Sequence, residues 1–415
     1  MPDKALNEAV PPMDNFREAV SRGDYRSAIK LAAAMDLGAL AAEDRVELHF
    51  ALMEATAELA DDSEEEQLAD DLMVQIGDQL EREGMADQDA RFRVANALFN
   101  KGLILTRQRR NQEAIAAYDE LIRRFPGAVP PESRAQVADA LLNKGYVLAD
   151  LGRREESITV FDDLIDRFYY AKESRIRLCV AKALFNKGDT LFALGRSEEA
   201  IAAYGDLDGH FFFAAEPEIQ KQVAYALYNK GFTLGTLHRS EKEIEAYDRL
   251  LSRFGDATDE KLREMTAWAL SSKAMRRAGA GASEEAIALF DDLIRRFGDA
   301  AEPAIRKEIA GALLNKGAEL VEAQRSEEGL AAYDELLSRF GEAAEPELQA
   351  QVAMALINKG HACGELGRRE EALASYQEVV ARFDDAEHSG FSQPVSMARA
   401  EIEKLGGDST RFGAN

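Results

Sequence analysis

The sequence predicts an all-α fold, a solenoid of stacked antiparallel helix pairs, and three observations carry that prediction. Asn-Lys-Gly begins at Asn100 and recurs at Asn143, Asn186, Asn229, Asn315 and Asn358, at multiples of 43 residues, with Ser272-Lys273-Ala274 in the missing place. Self-similarity at this period is the signature of a repeat array, in which each unit buries its apolar face against its neighbours. The composition, 46% apolar and 31% charged with ten prolines in 415 residues, suits helix better than strand. Within a period the apolar residues recur at helical spacing, and a glycine or a proline marks the ends.

The chain divides into residues 1–86, divergent helical pairs that cap the array; residues 87–388, seven repeats; and residues 389–415, a capping helix and tail. In the first segment Gly23-Asp24-Tyr25-Arg26-Ser27-Ala28-Ile29 reads as the start of a second helix. Residues 40–84 supply another pair, with Ser63 and Glu66 spaced as a capping box. The unit from Pro131 to Phe168 shows the logic of the array. Val137, Leu141, Tyr146 and Leu148 mark a first helix that stops at Leu151-Gly152-Arg153, where glycine can take the left-handed conformation. Glu155, Ile158, Phe161, Leu164 and Ile165 mark a shorter second helix, its opening glutamates favoured by the helix dipole. Elsewhere the first helix opens at Glu216-Pro217, Glu302-Pro303 and Glu345-Pro346, since proline loses nothing at a first-turn position.

Small residues stand where helices approach. Alanine occupies position 95 and its six equivalents through Ala353, and position 97 and its equivalents. Gly102 and its counterparts sit inside a helix at a cost of ~1 kcal/mol each relative to alanine, so close packing by a neighbouring helix is expected to offset it. On the second helix Tyr118, Phe161, Tyr204, Tyr247, Phe290, Tyr333 and Tyr376 are each followed seven residues later by phenylalanine, Phe125 through Phe383. Two turns of helix put both rings on one face, and packing between units is the expected use. After Ser389 to Pro394 breaks the pattern, a helix from Val395 to Leu405 is expected to cover the last apolar face.

Net charge is −25, from 76 acidic against 51 basic residues. This disfavours a phosphate backbone and so nucleic acid; it suits a basic partner, but simple solubility is the readier explanation of the charge. The cysteines, Cys179 and Cys363, lie four repeats apart, too far for a bridge. The N-terminal stretch Met1 to Asn15 has no apolar run after its charges, and no later stretch reaches ~18 consecutive apolar residues, so the expectation is a cytoplasmic protein with no membrane partner. His49, His210, His238, His361 and His388 are scattered, and no Cys-x-x-Cys, His-Glu-x-x-His or phosphate-loop pattern occurs. Asp206-Leu207-Asp208-Gly209 lacks the remaining ligands of a calcium loop and reads as helix. Neither catalysis nor a cofactor or metal is expected.

The order Ala97-Leu98, Asn100, Gly102, then Gly152 at the next inter-helix turn, with Ala114, Tyr118 and Pro126, resembles the tetratricopeptide repeat. The likeness is to a long variant, because the family's usual unit has 34 residues and the extra nine fall at the front of the first helix; kinesin light chain carries longer helices of this kind. Leu98 stands where the family commonly has tryptophan, and a lysine, Lys101 to Lys359, recurs where it usually has an apolar residue. That lysine is expected to reach an acid on a second helix, since Asp119, Asp162, Asp248, Asp291 and Asp334 recur there. The resemblance implies a right-handed superhelix with first helices lining a concave groove. It also implies that Asn100, Asn143, Asn186, Asn229, Asn315 and Asn358 form a ladder of amides able to bond a peptide backbone. The alternative is that they bond adjacent helices and hold the stack.

Variation among units marks the middle of the array. Phe185, Phe192, Tyr225, Tyr228, Phe232 and Trp268, the only tryptophan, fall at places the family's groove would expose, and they are either a partner site or core rings. Gly205, Gly209 and Phe211-Phe212-Phe213, and the stretch Ala278-Gly279-Ala280-Gly281, read as further irregular patches. The expected function is a non-catalytic interaction module whose groove binds a peptide or partner protein. A self-assembling, homo-oligomeric scaffold and a regulatory subunit of a separately encoded effector enzyme are the alternatives.

Overall fold

The computed structural model describes residues 13–58, 64–82, 88–126, 131–384 and 391–406, and no strand occurs among them. Their contacts divide the chain into two compact units, Met1–Ile219 and Gln220–Asn415. The first unit opens with α1 (Met13–Ser21), α2 (Tyr25–Ala33), α3 (Ala42–Glu58) and α4 (Glu64–Arg82). Pairs follow: α5 (Gln88–Arg107) with α6 (Asn111–Arg124), α7 (Pro131–Asp150) with α8 (Arg154–Phe168), and α9 (Ser174–Ala193) with α10 (Ser197–His210). The second unit holds nearly all of α11 (Pro217–Thr236), then α12 (Ser240–Phe254), α13 (Glu260–Gly279), α14 (Ser283–Phe297), α15 (Pro303–Glu322), α16 (Ser326–Phe340), α17 (Pro346–Glu365), α18 (Arg369–Phe383) and α19 (Ser392–Lys404). Within each unit a first helix packs on its own second helix and on the first helix of the next pair, as α7 does on α8 and α9, and α15 on α16 and α17.

The corners are where the sequence reading placed them. Gly152, Gly195, Gly281 and Gly367 have φ near +75°, and Arg109, His238 and Gln324 take the same left-handed conformation at φ 59°, 57° and 62° in the equivalent positions. Only glycine adopts this geometry without a steric cost, so three corners carry strain. The Ala278–Gly281 stretch, which read as irregular, keeps the common turn: α13 runs to Gly279 and Gly281 is its left-handed residue. At the other end Pro303 and Pro346 occupy the first turns of α15 and α17, after extended Glu302 and Glu345.

The glycine of each Asn-Lys-Gly makes room for a ring rather than for a neighbouring helix backbone. A Cβ built at Gly102 would lie 2.3 Å from Tyr118 Cε1, and at Gly145, Gly188, Gly231, Gly317 and Gly360 it would meet the ring of Phe161, Tyr204, Tyr247, Tyr333 and Tyr376 at 2.3–2.5 Å. Each ring belongs to the second helix of the same pair and is almost fully buried, as are all the phenylalanines seven residues on. Burial of one such side chain contributes ~1.5–3 kcal/mol, enough to offset the helical glycine. The alanines at position 95 and its equivalents are all inaccessible to solvent.

Charged struts tie successive pairs together. Lys144 reaches Asp119, Lys187 reaches Asp162, Lys273 reaches Asp248, Lys316 reaches Asp291 and Lys359 reaches Asp334, all at 2.5–2.6 Å, and Lys101 pairs with Asp78. The expected pairing therefore holds, and in every case the acid lies on the second helix of the preceding pair. A second strut runs the other way. Arg134, Arg177, Arg263 and Arg306 bond Glu173, Glu216, Glu302 and Glu345, which precede the next first helix. Each guanidinium also lies 5.4–5.9 Å from the ring of Phe168, Phe211, Phe297 or Phe340.

Asp24 caps α2 by accepting from the Ser27 amide, as the reading of residues 23–29 implies. The Ser63–Glu66 capping box lies outside the described residues. At the far end Val395, Ala398 and Ile402 of α19 join the core of the preceding pair, and Phe391 stacks on Phe383 at 4.8 Å. Cys179 and Cys363 are buried free thiols in different units.

Candidate functional site

The first helices turn one face toward their second helices and leave another accessible. On α11 the switch takes one residue: Gly231 is pressed against Tyr247, whereas Phe232 is 50% exposed. Tyr225, two turns before Phe232, lies on the same face and is half-buried. On α13 the equivalent positions hold Trp268, half-buried, and Met275, 56% exposed. Met354 continues this column on α17. On α11 and α13, then, the accessible face is aromatic and thioether-rich, whereas α15 has Gly311 and Ala318 at the equivalent positions. Met275 escaped the sequence reading, although its period-equivalence to Phe232 identifies it.

The corresponding face of the first unit is mixed, with Asn96, Asp139, Lys182 and Asp189 beside Leu103 and Tyr146. Asp139 on α7 receives Arg175 at 2.6 Å and the Cys179 thiol at 3.1 Å. Burial, and then the Asp139 carboxylate, push the Cys179 pKa up, so the thiol stays protonated and unreactive. Asp189 accepts the Tyr204 hydroxyl at 2.5 Å.

The six aromatic candidates therefore separate. Tyr225, Phe232 and Trp268 lie along the accessible face of the second unit. Tyr228 is half-buried, with its ring 5.8 Å from Tyr247 and 5.7 Å from Trp268, and it supports the tryptophan from beneath. Phe185, in the first unit, packs 6.2 Å from Tyr204 in the same relation, and Phe192 is half-buried.

The asparagines are all half-buried, and several have partners inside the protein. The Asn143 and Asn186 amides donate to carbonyls four residues back, Asp139 at 2.8 Å and Lys182 at 2.7 Å. Asn186 also bonds the Tyr146 hydroxyl of the preceding first helix at 3.3 Å, Asn358 bonds Tyr333, and Asn100 lies 3.4 Å from His49 Nε2. Burial holds the His49 pKa down at about 4, so that ring is neutral. Ser272, in the degenerate unit, bonds Tyr228 and Tyr247. Asn229 and Asn315 occupy the same half-buried positions on α11 and α15.

The pair before the degenerate unit carries a further departure, on α12. Glu243 replaces the small residue found at Ala114, Ala200 and Ala286, and it is buried. Gly235 gives it room, since a Cβ there would lie 2.8 Å from its carboxylate, and Arg276 supplies the counter-charge at 2.6 Å. Burial nevertheless raises the Glu243 pKa, Arg276 offsetting only part of the shift. On α15 the Glu308 pKa is likewise raised by burial, against a hydrogen bond from Ser271.

Among the described residues no group of three or more His, Cys, Asp or Glu side chains could hold a metal, and no helix is long and apolar enough to cross a membrane. The Asp206–Gly209 sequence lies within α10.

Family models described as tetratricopeptide repeat match residues 89–129 and 142–207, and another matches residues 353–383. No curated relative matches the chain. Among solved structures, a tetratricopeptide repeat protein from Parabacteroides merdae is 14% identical over 73% of this chain and 98% of that one, with a TM-score of 0.37. The apo form of RapI is 14% identical over 94% and 97%, at 0.45, and aspartyl phosphate phosphatase F from Bacillus subtilis 14% over 91% and 95%, at 0.43. At such scores these likenesses add nothing to the assignment. Residues 89–129, 142–207 and 353–383 thus match the tetratricopeptide repeat, and the paired helices, the glycine-on-ring contact and the left-handed corners recur in the pairs between and beside them.

Proposed function

We propose that this protein is a non-catalytic interaction module that receives an extended peptide or a segment of a partner protein along the accessible face of its first helices. The observation that carries the reading is the row formed by Tyr225, Phe232, Trp268 and Met275, four large apolar side chains left at least partly open to solvent on two successive first helices that touch through Tyr228 and Trp268. Rings of this kind supply contact area at low entropic cost, and they dominate binding where they are desolvated by a partner. The asparagines serve as the polar component. The amino groups of Asn143 and Asn186 are committed to carbonyls, so the oxygen is the side that accepts a peptide N–H.

The test is affinity isolation from the source cell with wild-type chain and the variants Phe232→Ala and Trp268→Ala. The reading expects one protein to be retained by the wild type and lost from both variants, with the melting temperature of Phe232→Ala unchanged. Retention by all three, or loss accompanied by unfolding, would count against it.

A further inference from the structure

A separate surface in the first unit carries rings that the core does not use. The corners that follow second helices in the other unit are small and acidic: Gly255-Asp256, Gly298-Asp299 and Gly341-Glu342. At the equivalent places after α8 and α10 stand Tyr169-Tyr170 and Phe212-Phe213. Tyr170 is 87% exposed and Phe213 92%, so neither is part of the core. The two corners form one patch. The Tyr169 ring lies 3.9 Å from the His210 ring and 5.0 Å from Tyr170, while His210 is 4.6 Å from Phe211 and Phe212 is 4.7 Å from Phe213. His210 takes the place of the arginine present at Arg167, Arg253, Arg296 and Arg339 and hydrogen-bonds the Tyr169 backbone.

The charges around the patch decide what it suits. Glu173, Glu216 and Asp163 are neutralised by Arg134, Arg177 and Arg167. Asp206 stands close enough to Tyr169 to perturb its hydroxyl, and Asp166 lies one turn before Tyr169 on α8; both are exposed. Lys172 is the one cation in the 169–173 corner. Exposed ring faces bordered by carboxylates favour an arginine or lysine side chain, which gains from the ring quadrupole and the negative charge together. A second copy of this chain, itself carrying −25, would bring like charge to the same edge.

We propose that the Tyr169-Tyr170 and Phe212-Phe213 corners form a docking surface for an arginine-bearing segment of a partner protein, distinct from the face of the first helices. Tyr170 and Phe213 supply the ring faces, Asp166 and Asp206 the charge.

The test uses full-length protein and a fluorescent peptide of alternating arginine and glycine, followed by anisotropy in near-physiological salt. The comparison peptide has glutamate for arginine. Tyr170→Ser with Phe213→Ser removes the rings without altering charge, and at such exposed positions the melting temperature should not move. The double variant is expected to bind the arginine peptide about tenfold more weakly, equivalent to about 1.4 kcal/mol, while Glu342→Ser, at the exposed corner after α16, changes affinity less than twofold. Equal affinity of wild type and double variant would overturn the proposal, because diffuse charge would then account for binding. So would a wild-type dimer in sedimentation that the double variant abolishes, since a second copy would then be the occupant.

Discussion

Gly311 and Gly317 lie in the same helix, α15, and the structure assigns opposite outcomes to replacing each by alanine. A Cβ at Gly317 would lie 2.4 Å from Tyr333 Cε1 and 2.8 Å from Cδ1 and Cζ, against the ~3.5–4.0 Å at which carbon atoms pack. The ring is only 1% exposed, so it cannot swing aside and must retreat by about 1 Å through a filled core. Overpacking of this kind costs up to ~3 kcal/mol, and the helical preference of alanine returns ~1 kcal/mol, leaving a net loss of about 2 kcal/mol. At Gly311 the new methyl meets only the end of the Gln351 side chain, at 3.3 Å, which can move. There the helical gain survives, and Gly311→Ala should stabilise by ~0.5–1 kcal/mol. Urea unfolding followed by helical circular dichroism, with Trp268 fluorescence as a probe in the same unit, reads both variants. If Gly317→Ala stabilised the protein as Gly311→Ala does, the glycine-on-ring explanation of the repeat would be refuted.

The left-handed corners make a second pair of expectations. His238→Gly and Gln324→Gly should each stabilise by about 1 kcal/mol, and Gly367→Ala, at φ 74°, should destabilise by a similar amount in the same unfolding assay. Arg276→Ala leaves the Glu243 carboxylate buried beside no cation and should cost about 3 kcal/mol at neutral pH. Because the Glu243 pKa is already raised, and rises further without Arg276, its stabilising contribution is present below the unfolded glutamate range and is lost as pH rises through the folded value. The Arg276→Ala deficit should therefore shrink as the pH is lowered toward ~4.3, in melts across a pH series. Lys316→Met should cost only ~0.2–1 kcal/mol, since Asp291 is half-exposed, and the difference from wild type should fade at ~1 M salt.

Much of the fold was legible because it depends on local rules. Proline after Glu302 and Glu345, glycine at 152 and its equivalents, and a 3.6-residue apolar pattern determine where helices begin and end. Arg109, His238 and Gln324 show the limit: their residue types give no sign of a left-handed turn, and only register with Gly152 reveals it. Contacts between helices were less accessible. That Gly102 and its counterparts face a ring sixteen residues on, and that Lys144 reaches back to Asp119 of the preceding pair, depends on helix rotation, which periodicity leaves loose by tens of degrees. The same uncertainty blurred the site. Phe185 and Tyr228 stand one position before the asparagine, at the edge of the accessible face, where their rings settle against Tyr204 and Tyr247. Phe232, three positions after the asparagine, and Met275 at its period-equivalent place project outward instead. Variation among units singled out Phe185, Tyr228 and Phe232 without saying which way they point.

Trp268, the single tryptophan, is itself part of the face proposed to bind, so its emission reports directly on occupancy. Titrating the isolated partner into wild-type protein should shift and saturate that emission, and Phe232→Ala should weaken the affinity by roughly tenfold or more, the ~1.4 kcal/mol or greater loss characteristic of a desolvated aromatic anchor. A partner that binds with unchanged Trp268 emission and with equal affinity for Phe232→Ala would place its contacts elsewhere and contradict the account.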